Sequence, residues 1–161
     1  MVVMDVDGVL TDGRVHLIEG IGELKQFHVH DGTGIKYLHR AGLRTALISG
    51  RQSSAVEMRA KELGIEDVCQ GVKVKMKALE DLLARRKLDP KELCFIGDDL
   101  PDLPVMRRVG VSVAPANARP EVRQAAHIVT RAAGGEGAVR EFAEMLLRAQ
   151  GKWETIMARY R

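Results

Sequence analysis

Asp5 and Asp7 stand one residue apart at the end of the apolar run Val2-Val3-Met4, and Gly8 follows them. The run reads as a short buried strand that ends in a turn at Gly8. At a strand end the two side chains need not alternate as they would within a pleat, and the turn can aim both into one crevice. Neighbouring carboxylates repel unless a cation or a shared proton joins them. A hard divalent ion such as magnesium, which takes oxygen ligands, is the simplest such cation. An exposed acidic turn is the alternative, and the DxDG spacing alone does not choose between them.

Three further stretches carry groups that could join this pair. Ser49 and Gly50 follow Leu47-Ile48, and the Ser49 hydroxyl with the Gly50 amide could donate to a phosphate oxygen. Lys73, Lys75 and Lys77 lie around the start of an expected helix. A lysine there can set a point charge on a phosphate or carboxylate, although spacing does not say which of the three does so. Gly97-Asp98-Asp99 with Asp102 puts three carboxylates after another apolar run. Asp98 is placed to complete a metal site with Asp5 and Asp7. An acidic helix cap is the plainer reading for Asp99 and Asp102.

The elements that must position these groups alternate. Strands are expected at 2–4, 44–49, 66–69, 93–96, 111–114 and 128–129. Helices are expected from Asp31 or Thr33, as cap, to Arg40, and at 53–63, 76–87, 103–109, 120–125 and 138–150. Residues 14–18 and 24–28 read as a β-hairpin joined by the Gly-rich 19–23. This repetition predicts one α/β domain over residues 1–161: a doubly wound, Rossmann-like parallel sheet flanked by helices. The hairpin is a flap of about 14–28 and the tail runs over about 151–161. In such sheets ligands bind beyond the carboxyl ends of the strands, where all four stretches fall.

Composition narrows the class. Of 161 residues, 45% are hydrophobic and 29% charged, as expected of a globular domain. A net charge of +3 is too small to suggest nucleic acid or an anionic membrane as partner. The two cysteines, Cys69 and Cys94, lack metal-ligand spacing and read as buried thiols in a reducing, cytoplasmic compartment.

Taken together and in this order, DxDGxxT, a strand ending in Ser49, the lysine before a helix and GDDxxD resemble the four motifs of the haloacid dehalogenase superfamily of phosphotransferases. Longer stretches look like its small capless branch: Asp5 to Gly13, Glu23 to Phe27, Asp31 to Ile35, Ile48 to Arg51, Gln70-Gly71, Gly97 to Asp102 and Gly134 to Glu141. The resemblance covers essentially the whole chain. It implies a magnesium-dependent phosphatase with no separate cap domain, acting on 3-deoxy-D-manno-octulosonate 8-phosphate in lipopolysaccharide precursor synthesis. A 9-phosphorylated nonulosonic acid is the alternative substrate.

The resemblance also implies roles. Asp5 is the nucleophile that forms an aspartyl-phosphate, and Asp7 is the general acid and base. Asp5, Asp98 and the Asp7 backbone carbonyl hold magnesium, with Asp99 and Asp102 orienting the shell. Ser49 and Lys75 neutralise the phosphoryl oxygens. Gly50, Arg51, Lys75, Arg59, Lys36 and the loop His28, Val29, His30, Asp31 and Gly32 contact the substrate. His30 stands where the family commonly has an arginine, which bears on which sugar is taken. The implied assembly is a homotetramer built through the hairpins, with the tail reaching a neighbour's site or extending the last helix. Two other classes fit less well. A non-catalytic oligomerisation domain, as found fused to sugar cytidylyltransferases, would not need Asp5, Asp7, Ser49, Lys75 and Asp98. A response-regulator-like acceptor would not carry its aspartate on the first strand.

Overall fold

The computed structural model describes residues 1–20 and 22–161. Among these, six parallel strands form one sheet: β1 (Val2–Met4), β4 (Thr45–Ile48), β5 (Asp67–Cys69), β6 (Cys94–Ile96), β7 (Val111–Ala114) and β8 (Ile128–Val129). Their spatial order is β5-β4-β1-β6-β7-β8, so the first strand is central and the chain winds outward from it in both directions. The expected doubly wound α/β sheet is therefore present. Its topological switch lies beside β1, between β4 and β6.

Apolar side chains of successive strand residues go to opposite faces, because the pleat has a period of two. Val2 and Met4 enter one core with α1 (Val29–Arg40), α2 (Ser54–Leu63), α6 (Ala138–Ala149) and α7 (Trp153–Met157). Val3 enters the other with α3 (Lys75–Arg86), α4 (Leu103–Met106) and α5 (Pro120–Ala125). Among the described residues no helix is long and apolar enough to cross a membrane.

The hairpin pairs β2 (His16–Ile18) with β3 (Gly22–Leu24), antiparallel, in the register His16↔Leu24. The expected second strand over 24–28 is thus shifted. Pairing stops at Leu24 because Lys25 turns inward to Asp7 and Phe27 packs on the main core. Ile21 lies outside the described residues.

Helix α1 starts two residues before the expected cap. His28 is its N-cap residue, and Thr33 donates to the Val29 carbonyl at 3.2 Å from inside the helix. Asp31 caps a different helix: its carboxylate accepts from Gly137 N at 3.3 Å and Arg140 N at 2.7 Å, at the start of α6. Gly34 lets the two helices meet, since a Cβ there would lie 2.9 Å from Arg140 Cα.

The tail folds back on its own chain. Trp153 and Tyr160 ring centroids lie 6.0 and 6.1 Å from that of Tyr37 on α1, and Arg40 donates to the Tyr160 hydroxyl at 3.1 Å. In this structure the tail does not continue α6, which ends at Ala149, but forms the separate α7. The Trp153 side chain is better buried against α1 than left in water.

Candidate active site

The loop after β1 is shaped by its own sequence. The Asp5 amide donates to the Ile96 carbonyl at 2.9 Å, so Asp5 continues the sheet's hydrogen bonding just past the end of β1. The chain then turns, and the Val6 carbonyl accepts from Leu10 N at 2.9 Å and Thr11 N at 3.0 Å. The buried Thr11 hydroxyl donates to the same carbonyl and accepts from Gly13 N at 3.2 Å. Gly8 adopts φ +88°, and a Cβ there would fall 2.0 Å from Asp98 Oδ2. The Asp-x-Asp-Gly-x-x-Thr spacing therefore encodes one compact turn that brings Asp98 against the loop.

Beyond the strand ends Asp5, Asp7, Ser49, Lys75, Asp98 and Asp99 line a common crevice of about 400 Å³. Of the three candidate lysines the structure selects Lys75, the first residue of α3 and buried; Lys73 and Lys77 are exposed. Its ammonium reaches Asp5 Oδ2 at 2.9 Å and Asp102 Oδ1 at 2.6 Å. Asp102 is fully enclosed, and its other oxygen accepts from Asp98 N at 3.0 Å and Asp99 N at 3.2 Å. Both its oxygens are thus engaged, and it orients Lys75 and the acidic loop. Asp99 is exposed and accepts from Leu100 N at 2.8 Å. Ser49 is buried with its hydroxyl 3.3 Å from Arg51 N.

The charge in this crevice is unbalanced in a particular place. Carboxylate oxygens of Asp5, Asp98 and Asp102 come within 4.8 Å of one another. Asp98 Oδ1 is buried with no hydrogen-bond partner among the described residues. Burial first, then repulsion from Asp5 and Asp102, pushes the Asp98 carboxyl up to about 7. Burial and Asp102 likewise push Asp5 up to about 6, against the pull of Lys75. Burial alone would lower the Lys75 ammonium, but Asp5 and Asp102 outweigh it and raise it. One cation is therefore already supplied, and the orphaned oxygen of Asp98 beside Asp5 fits a second one, a hard divalent ion.

Known proteins resemble this chain in sequence and fold. Residues 67–142 match the family model described as haloacid dehalogenase-like hydrolase. The 3-deoxy-D-manno-octulosonate 8-phosphate phosphatase of Escherichia coli K12 is 45% identical over 152 residues, spanning 94% of this chain and 81% of that protein. The chain belongs to the haloacid dehalogenase-like hydrolases. A probable YrbI-family phosphatase from Pseudomonas syringae superposes with a TM-score of 0.97 at 53% identity, covering 99% of this chain and 90% of that one. A 3-deoxy-D-manno-octulosonate 8-phosphate phosphatase from Moraxella catarrhalis, solved with magnesium, phosphate and the sugar acid, also gives 0.97, at 38% identity, covering 99% and 92%.

Within this hydrolase the expected substrate contacts divide. Gly50 and Arg51 line the crevice. Val29 and Arg59 line a neighbouring groove with Lys25, Phe27, Met58 and Glu62. Arg59 lies over the Phe27 ring at 5.9 Å and donates to Glu62 at 2.7 Å. Lys36 is exposed on α1, and His28 and His30 meet edge to face at 5.1 Å. Asp31 and Gly32 do not face the crevice of their own chain. Asp31 is 1% exposed beneath α6, and a Cβ on Gly32 would fall 2.3 Å from Arg59 Nη2. Within the chain Asp31 docks α6 and Gly32 leaves room for Arg59.

Two site residues escape the sequence reading. Lys25 pairs with Asp7, and Glu23 bridges Lys25 at 3.3 Å and Arg51 at 2.8 Å. A lysine and a glutamate on a short hairpin look like solvated charges. The available signal was Asp7 itself, whose carboxylate needs a partner once Lys75 is committed to Asp5.

Proposed function

We propose that this hydrolase is a magnesium-dependent phosphatase that converts 3-deoxy-D-manno-octulosonate 8-phosphate to the free sugar acid and inorganic phosphate. The observation that carries the reading is the pairing of Asp5, held by Lys75, with the orphaned oxygen of Asp98 across one open crevice. Sequence identity along nearly the whole chain to phosphatases bearing that substrate's name supports the choice of sugar.

Asp5, Asp98 and the Asp7 backbone carbonyl would hold the magnesium. When bound, it offsets the repulsion between the anionic nucleophile and the anionic phosphate. Asp5 attacks phosphorus, a carboxylate-to-phosphorus bond forms, and the bond from phosphorus to the sugar oxygen breaks. Asp7 gives its proton to the leaving oxygen. Water then attacks the aspartyl-phosphate, Asp7 takes a proton from it, and phosphate leaves Asp5 as it began. Ser49, the Gly50 amide and Lys75 receive the phosphoryl oxygens as charge shifts onto them. Arg51 offers the substrate carboxylate a two-pronged donor, with Arg59 and Lys36 farther out. In this reading the enzyme works in the cytoplasm, where its thiols stay reduced. It assembles as a homotetramer through the hairpins.

The test is a screen of sugar phosphates with wild-type protein and Asp5→Asn in magnesium buffer. The octulosonate 8-phosphate is expected to give the highest kcat/KM, and the Asn variant, folded, to lose turnover by about a thousandfold or more. A sialic acid 9-phosphate turning over faster would move the reading to nine-carbon acids, with His30 as the first residue to examine. Magnesium-dependent turnover retained by Asp5→Asn would overturn the covalent route.

A further inference from the structure

We propose that Lys25 is a positioning residue: it anchors one oxygen of Asp7, and through it the hairpin sets the proton transfer to the leaving group. The proposal rests on the reading of Asp7 as proton donor.

Lys25 lies one residue past β3, at the foot of an otherwise exposed hairpin. Its side chain is nevertheless 0% exposed. Burying an ammonium without partners is strongly unfavourable, so its place in the fold depends on the carboxylates it meets. These are Asp7 Oδ1 and, at 3.3 Å, Glu23 Oε1. Glu23 in turn holds the Arg51 guanidinium at 2.8 Å. The opposite oxygen of Asp7, Oδ2, has Arg51 Nε at 3.7 Å, too long for a hydrogen bond. The carboxylate is therefore hydrogen-bonded at one end, while the other oxygen has only the longer ion pair with Arg51, in a residue that lines the crevice.

That asymmetry is what a proton shuttle needs. A group that gives and then takes a proton must reach a sugar oxygen and later a water at about 2.6–3.2 Å. A carboxylate free to rotate would spend little of its time there. Anchoring Oδ1 leaves Oδ2 to do the transfer. Because Glu23 joins Lys25 to Arg51, displacement of the hairpin would disturb Asp7 and the guanidinium beside it together.

Leaving groups separate this role from a structural one. A sugar alkoxide departs poorly unless it is protonated, whereas p-nitrophenolate leaves without help. The ratio kcat/KM covers only the steps through departure, so it isolates the first transfer from the common hydrolysis step. We would measure it for an alkyl sugar phosphate and for p-nitrophenyl phosphate, at saturating magnesium, with wild type, Lys25→Met, Lys25→Arg and Asp7→Asn. General acid catalysis is worth about 10²–10⁴-fold. Lys25→Met is expected to lose about tenfold or more on the alkyl ester and less than about threefold on the aryl ester, with Lys25→Arg recovering most of the loss. Should the Met variant fail to fold by circular dichroism, Lys25→Gln is judged by the same criterion. Equal losses on both esters, or none, would overturn the proposal while Asp7→Asn still discriminated between them. If Asp7→Asn itself lost both esters equally, the proton-donor reading would fall first.

Discussion

Asp98 resists ionisation because it is buried beside Asp5 and Asp102, and its carboxyl sits near 7 rather than its ordinary 3.8. Asp5 is shifted the same way, to about 6. A folded-state value above the unfolded one stabilises the fold while the group is protonated. That contribution is complete below 3.8 and is lost as pH rises through about 7. Metal-free protein is therefore expected to melt at progressively lower temperature as pH rises from about 5 to about 8. Magnesium should restore the loss at the upper end and act weakly at the lower, where protons compete for the same oxygens. Asp98→Asn should flatten the profile, raise the metal-free melting temperature near pH 8 and abolish the response to magnesium. Scanning calorimetry in chelator-treated buffer measures all three, and a flat wild-type profile would contradict the strain assigned to these carboxyls.

The pairing of α1 with α6 carries its own expectation. Asp31 satisfies two amides at the start of α6, whose N-cap Gly137 has no side chain to do so. Asp31→Ala should cost about 1–2 kcal/mol, or several degrees of melting temperature in a chain this size, with KM for the sugar phosphate unchanged. A raised KM at unchanged melting temperature would return Asp31 to the substrate. The case also marks the limit of reading the sequence. Strands such as Val2–Met4 and Thr45–Ile48 were legible because short apolar runs bounded by Gly, Asp or Ser have few other uses, and the four motif stretches inherit their place from those strand ends. Asp31 read as the cap of its own helix because the amides it accepts from, those of Gly137 and Arg140, lie more than a hundred residues away. Lys75 could not be told from Lys73 and Lys77 because burial, not spacing, distinguishes them. Lys25 was passed over because inward rotation of one residue beyond a strand leaves no periodic trace.

At the scale of the whole molecule the three most exposed large apolar side chains among the described residues, Leu17, Met58 and Val29, lie on the hairpin and the adjoining groove. Leu17 is 77% exposed on β2 and Met58 74% on α2, with Leu24 and Val29 also exposed. Such a surface suits association with copies of the same chain. Under the proposed tetramer, Leu17→Asp should shift the protein to smaller species by light scattering at micromolar concentration and lower its activity with them. A wild-type monomer of full activity would exclude the shared assembly. The turn after β1 is also braced from a distant part of the sequence. A Cβ on Gly134 would lie 1.8 Å from the Gly8 carbonyl oxygen and one on Gly135 2.4 Å from Asp12 N, while Gly135 N donates to the Val9 carbonyl at 3.0 Å. The turn bearing Asp5 and Asp7 is thus held by peptide edges more than a hundred residues further along the sequence. A fragment ending before residue 134 would contain Asp5, Asp7, Ser49, Lys75 and Asp98, yet lack the peptide edges that hold the turn.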